Sequence, residues 1–256
     1  MQSPAPTAPT LLLVAHGSRD PRHAQTVREL ASRVRELRPW TRVEVSFLDF
    51  NTASVPGQLA RLDAEGARAV VVLPLLLTRA FHAKSDLPAV LHAASERHPR
   101  LRLATAGVLG PSPLLLAAVE RRLYEAGLRP ADKSSTGVVL ASAGSTDPEA
   151  IAVIAEIARE LRHTGWCAVR PAFASAALPR TQEAVRALRT DPGVDRVAVA
   201  PYVLAPGFLP SRIFAGAREA GAEAVAGVLG ACPELAELVV SRYEQAGRTA
   251  LVGATA

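Results

Sequence analysis

Cysteine is nearly absent from this 256-residue chain: Cys167 and Cys232 are the only two, far apart and in no C-x-x-C spacing. A disulfide framework, a structural zinc site and an iron–sulfur cluster all lack ligands, and a cytoplasmic setting is expected. Lysine is equally scarce, with Lys84 and Lys133 alone, so the formal net charge of +5 rests on arginine. The arginines are dispersed, without interleaved aromatics or a nucleic-acid motif. That pattern argues against nucleic acid and for a small polyanion, which a planar guanidinium can grip bidentately. No apolar run has the length of a membrane helix, so no membrane partner is expected. The opening MQSPAPTAP lacks a basic n-region and reads as a short disordered leader over residues 1–9, not a signal peptide. There is no G-x-x-x-x-G-K-[ST] segment and no G-x-G-x-x-G fingerprint. An ATP-driven subunit, a dinucleotide dehydrogenase and a nucleotide cofactor are therefore not expected.

What the chain does have is an internal repeat. VAHGSRDP at Val14–Pro21 returns as LASAGSTDP at Leu140–Pro148, and PLLLTRAFHAKSD at Pro74–Asp86 returns as PYVLAPGFLPSRI at Pro201–Ile213. GVLGPSP at Gly107–Pro113 likewise returns as GVLGACP at Gly227–Pro233, each leading into a helical pattern that closes on Tyr-Glu. A period of this size sets the architecture before any local reading. The expected layout is a first domain over 10–128, a linker over 129–136 rich in turn-forming residues, and a second, degenerate domain over 137–249.

Within each half, short aliphatic runs alternate with segments of helical period. In the first half, Leu11–Ala15, Arg42–Leu48, Ala67–Leu77 and Leu101–Ala106 read as strands, with helices over Arg22–Leu37, Pro56–Glu65, from near Asp86, and over Ser112–Ala126. The second half repeats the order, with strands Gly137–Ser142, Cys167–Phe173, Val194–Leu204 and Glu223–Val228. Such alternation calls for parallel sheets with helices on both faces. The expected class is α/β, with two similar doubly wound domains, each built on a four-stranded, mainly parallel sheet. Two such domains facing each other would leave a cleft, and ligands of open α/β sheets bind outside the carboxyl ends of the strands.

His16 and His82 both fall at such strand ends, and both are missing from the second copy, where Ala143 and Leu209 stand 127 residues further on. A lone histidine at a strand end is commonly structural, but two at equivalent edges favour a site. Gly17 and Ser18 let the chain turn and offer backbone N–H groups at a helix start, as an ordinary strand-to-helix turn also does. Asp49 ends the strand segment VSFLDF; it is either a turn former or a third site residue. Its counterpart is Ser175 or Ala176, so the carboxylate disappears with both imidazoles, as one metal site falling silent would require. His23, His92, His98 and His163 lie in helix-like or polar contexts and are expected at the solvated surface.

AHGSRDP, SFLDF and PLLLTRAFHAKSDLP, in that order, resemble the sirohydrochlorin chelatases of the class II chelatase group, in a fused two-domain form. The resemblance implies ATP-independent insertion of a divalent metal into sirohydrochlorin, Fe²⁺ ahead of Co²⁺, in siroheme or cobalamin synthesis. The metal is then a substrate, and His16 and His82 are the imidazoles that handle metal and protons. Asp49 takes the family's third, usually glutamate, position, one methylene short. Neutral imidazoles suit such metals and accept protons near neutral pH. The substrate is a polycarboxylate, so Ser18, Arg19, Arg22, Arg79 and Lys84 in the first half, and Phe208 and Arg212 in the second, become candidate contacts. The duplication implies one metal site per chain and a monomer in which the repeat replaces a homodimer. Two other functions stay open: a non-catalytic metal or tetrapyrrole carrier, and a histidine phosphatase, although that chemistry needs an arginine where Ala15 stands.

Overall fold

The computed structural model describes residues 8–78 and 86–252. In the first repeat, β1 (Thr10–Ala15), α1 (Pro21–Leu37), β2 (Val43–Phe47), α2 (Val55–Ala64), β3 (Ala69–Pro74), α3 (Asp86–Arg97), β4 (Arg102–Thr105) and α4 (Pro113–Glu125) follow one another. A 3₁₀ turn at Pro130–Ser135 leads to β5 (Thr136–Ser142), α5 (Pro148–His163), β6 (Ala168–Phe173), α6 (Thr181–Arg189), β7 (Arg196–Tyr202), α7 (Phe208–Glu219), β8 (Ala224–Val225) and α8 (Pro233–Val252). The strands form two sheets, ordered β2-β1-β3-β4 and β6-β5-β7-β8, in which all the pairings are parallel. The expected α/β class with two four-stranded sheets is thus borne out.

The central strands follow from their sequences. β1 is TLLLVA and buried throughout. Leu12 and Val14 join a core with Leu59, Leu62, Leu87 and Leu91, and the alternate residues Leu11 and Leu13 are equally buried. Both faces of the sheet are therefore covered, which is why a parallel strand reads as an unbroken aliphatic run. The second sheet repeats this around Val139, Val185, Val197, Val199 and Ile213. Asp20 and Asp147 cap α1 and α5, each accepting from the N–H two residues on, with a proline in the first turn. Each cap contributes about 1 kcal/mol.

Several strands are shorter than expected: β7 spans Arg196–Tyr202 of Val194–Leu204, and β3 and β8 fall further short. β3 ends at Pro74, where the expected strand runs to Leu77; its last ladder bond is Leu75 N–H to Val14 O at 2.8 Å. β8 has two residues in place of the expected six; its neighbour Glu223 puts a carboxylate oxygen 2.8 Å from Val197 N, taking up a donor at the edge where the strand would begin.

The chain divides into two compact units that do not coincide with the two sequence repeats. One comprises residues up to Leu109 together with those from Ala236 onward; the other is Gly110–Leu235. Side-chain bonds account for the difference. α4 is fixed within the second unit by Arg122 Nη2, which donates to Leu229 O at 2.7 Å, and by Glu120, which meets Lys133 and accepts from Trp166 Nε1 at 3.2 Å. Most of α8 belongs to the first unit: Arg242 donates to Val108 O and Leu109 O, and Tyr243 OH to Pro9 O. Each repeat thus places its last helix in the unit holding the other repeat's sheet.

Candidate metal centre

In a parallel sheet the strands deliver their next residues to one edge, and here β1 and β2 do so side by side. His16 is the first residue past β1. The loop after β2 closes on it through backbone bonds, Leu48 N–H to Ala15 O at 3.0 Å and Asp49 N–H to His16 O at 2.9 Å. This approach needs a residue without a side chain at position 17. Gly17 has φ +98°, and a Cβ there would lie 1.9 Å from Asp49 O. Ser18 N–H donates to Asn51 Oδ1 at 3.3 Å and Ser18 Oγ accepts from Asp20 N–H at 3.1 Å, so Ser18 ties the loop to α1.

His16 is half-buried, with Nδ1 3.4 Å from Gly17 O and its ring stacked beside Phe50 at a centroid distance of 6.3 Å and an interplanar angle of 28°. Asp49 is exposed; its Oδ1 accepts from Phe50 N–H at 2.7 Å, and its other oxygen has no partner among the described residues. The turn-forming and site-forming readings of Asp49 thus share one side chain. Arg19 is exposed, its Cζ 5.5 Å from the centre of the Phe50 ring. Arg22 forms an exposed ion pair with Asp20 at 2.7 Å, a weaker candidate for a substrate contact than Arg19. His82, Arg79 and Lys84 lie outside the described residues. Among the described residues no three His, Cys, Asp or Glu side chains converge in a metal-binding group.

Two of the histidines expected at the solvated surface are not simply there. His23, on the first turn of α1, is half-buried against Phe47, with Nδ1 inaccessible and without a hydrogen-bond partner among the described residues. Burial, assisted by the nearby His16, holds its imidazole below the usual pKa range, partly offset by Asp20. The sequence did carry a signal for this residue, because position 23 repeats as Ala150, lost like the other two imidazoles. His98 bonds through Nδ1 to Asp63 Oδ2 at 2.8 Å, a pairing between distant positions that periodicity does not register. His92 and His163 are exposed, as expected.

The second unit carries the same loop frame without a histidine or an aspartate at the positions of His16 and Asp49. Ala174 N–H bonds Ser142 O, Ser175 N–H bonds Ala143 O at 3.1 Å, and a Cβ on Gly144 (φ +94°) would meet Ser175 O at 1.9 Å. This places Ser175, not Ala176, opposite Asp49 in the repeat. Ser145 and Asp147 repeat the capping bonds of Ser18 and Asp20. Leu209, the repeat partner of His82, packs on the second core, while Phe208 is exposed with Arg212 Cζ 6.0 Å from its ring centre.

The family model described as CbiX matches residues 10–126 and again 137–246. A sirohydrochlorin cobaltochelatase of Priestia megaterium is 32% identical over 212 residues, spanning 80% of this chain and 67% of its own. A sirohydrochlorin ferrochelatase of Bacillus subtilis is 30% identical over 207 residues, 79% of this chain and 77% of its own. Among solved structures, SirB from Bacillus subtilis with Fe³⁺ superposes with a TM-score of 0.81 at 25% identity, covering 94% of this chain and 96% of that one. Two tandem matches of one model, on two sheets with the same strand order and the same site loop, place the chain in the CbiX family.

Proposed function

We propose that the chain is a sirohydrochlorin chelatase, inserting a divalent metal into the macrocycle without ATP, Fe²⁺ in preference to Co²⁺. The observation that carries this reading is the unequal pair of site loops. Both copies keep the glycine, the backbone bonds and the caps, yet only the first keeps His16 and Asp49 on that frame. A frame needed only for folding has no use for those side chains in one copy and not the other.

The chemistry requires a divalent ion held with open coordination positions and two pyrrole protons removed as the metal enters. A neutral imidazole binds such an ion without neutralising it and takes up protons near pH 7. His16 and His82 are proposed for both tasks, with Asp49 as a carboxylate ligand or a partner that orients one. Arg19, Arg79 and Lys84 are proposed to meet peripheral carboxylates, and Ser18 to offer a hydroxyl there. Phe208 and Arg212 are proposed as the second repeat's contribution to binding.

Mixing the purified protein with sirohydrochlorin and Fe²⁺, and in parallel Co²⁺, and following the absorbance change against the reaction without protein tests this reading. Insertion no faster than that control, with either metal, overturns it. Tight binding of ring or metal without acceleration identifies a carrier instead. The two metals in parallel also settle preference, which intrinsic ligand affinity does not set.

Asp49→Asn is expected to lower turnover or metal affinity about 10–100-fold, the usual loss when a carboxylate that supports a metal-binding imidazole is neutralised. The amide oxygen can still accept from Phe50 N–H, so thermal unfolding should not move. Turnover equal to the parent protein's would return Asp49 to the role of turn former.

A further inference from the structure

Beside His16 lies an aromatic side chain that the fold does not use. Phe50 is 51% exposed, so its ring adds little to either core. Its backbone is in the left-handed region at φ 61°, where a bulky L-residue is unfavourable and glycine or asparagine is the ordinary choice. The turn itself does not require an aromatic: Ala176 stands at the same place in the second unit at φ 62°. The bend belongs to the repeated frame, and the ring is an addition found only in the copy that carries His16.

The neighbours of the ring suggest its use. It is stacked against the His16 imidazole at 6.3 Å and lies under the exposed Arg19 guanidinium, which has no carboxylate partner among the described residues. An apolar face, an imidazole and an uncommitted cation side by side match a flat conjugated ring with anionic edges.

We propose that Phe50 contacts the substrate, its exposed ring packing against the tetrapyrrole beside His16 while Arg19 meets a carboxylate at the ring's edge. The proposal rests on the chelatase reading above. It assigns Phe50 to binding and orienting the macrocycle, not to proton transfer or metal ligation. Aromatic contacts of this kind contribute beyond the area they bury, and they discriminate a planar ligand from a small carboxylic acid.

The test is a titration of the protein with sirohydrochlorin in the absence of metal, followed by absorbance, together with steady-state insertion kinetics. Phe50→Ala is expected to weaken binding and raise the apparent KM about tenfold, a loss typical of one aromatic contact, with saturated turnover nearly unchanged. Its melting temperature should equal or exceed the parent's, because alanine already occupies this turn in the second unit. Phe50→Tyr, which keeps the ring, should restore most of the affinity. Unchanged binding by Phe50→Ala while the parent protein inserts metal overturns the proposal and leaves the chelatase reading standing. Failure of Phe50→Tyr to bind better than Phe50→Ala also overturns it. A parent protein that neither binds sirohydrochlorin nor accelerates insertion removes the reading underneath, and this inference with it.

Discussion

His16→Ala is expected to bring metal insertion close to the rate without protein, a loss of at least about 100-fold, since a positioned base alone contributes that much. The residue stands one position past β1, half-buried and outside the aliphatic run that forms the strand. Its backbone carbonyl, not its ring, receives the bond from Asp49 N–H that holds the two loops together. Removing the imidazole should therefore leave cooperative unfolding within about 0.5 kcal/mol of the parent, as for a change away from core and caps. Insertion assays and thermal melts on the same preparation separate the two effects. His16→Ala with most of its turnover intact would remove the central residue of the proposed site. His82→Ala is expected to behave similarly in the insertion assay.

Gly17→Ala should act in the opposite way, through the fold. The added Cβ has nowhere to go, with Asp49 O 1.9 Å from its ideal position and φ fixed at +98°. Either the two loops part or the backbone bonds joining them break, at a cost of about 2–4 kcal/mol, the range of backbone strain combined with a steric clash. Gly144→Ala meets the same obstacle, Ser175 O at 1.9 Å and φ +94°, and should lose comparable stability. The two differ in catalysis: parting the loops displaces His16 and Asp49 in one case and only Ala143 and Ser175 in the other. At a temperature where both variants remain folded, Gly17→Ala should be nearly inactive and Gly144→Ala should keep most of its turnover. Equal activity losses would show that the second loop frame takes part in the chemistry.

Much of this architecture was legible because the repeat displays each feature twice. Aliphatic runs bounded by helical periods located the strands within a few residues, and α1, Pro21–Leu37, fell within one residue of the expected Arg22–Leu37. What alternation does not encode is where a run leaves the ladder: Leu75 remains buried after its strand has ended, so hydrophobicity alone extends β3 too far. At the site, Asp49 and His16 were legible as a pair lost together, and the structure joins their loops through Asp49 N–H and His16 O. His23 and Phe50 were missed for different reasons. His23 is polar and on a helix, a context that suggests solvent, and only packing against Phe47 removes it from water. For Phe50, neither the left-handed backbone nor the exposure is visible in an apolar letter. The assignment of α4 and α8 to the two compact units was hidden as well, because it depends on bonds such as Arg122 to Leu229 O that link distant positions.

The crossed ownership of those last helices bears on how such a chain can be divided. Severing it within the turn at Pro130–Ser135 would yield two fragments, each with a complete sheet but with its terminal helix adapted to a sheet on the other fragment. Each piece would keep the helices of its own repeat that pack on its sheet but lack the last helix supplied by the other, so each alone would expose apolar surface and the mixed pair would reassemble. Two free copies of an ancestral half would meet the same requirement by trading helices with each other, as in domain-swapped dimers. In the tandem chain that exchange lies within one polypeptide, whose two copies differ at this edge, His16 in one and Ala143 in the other.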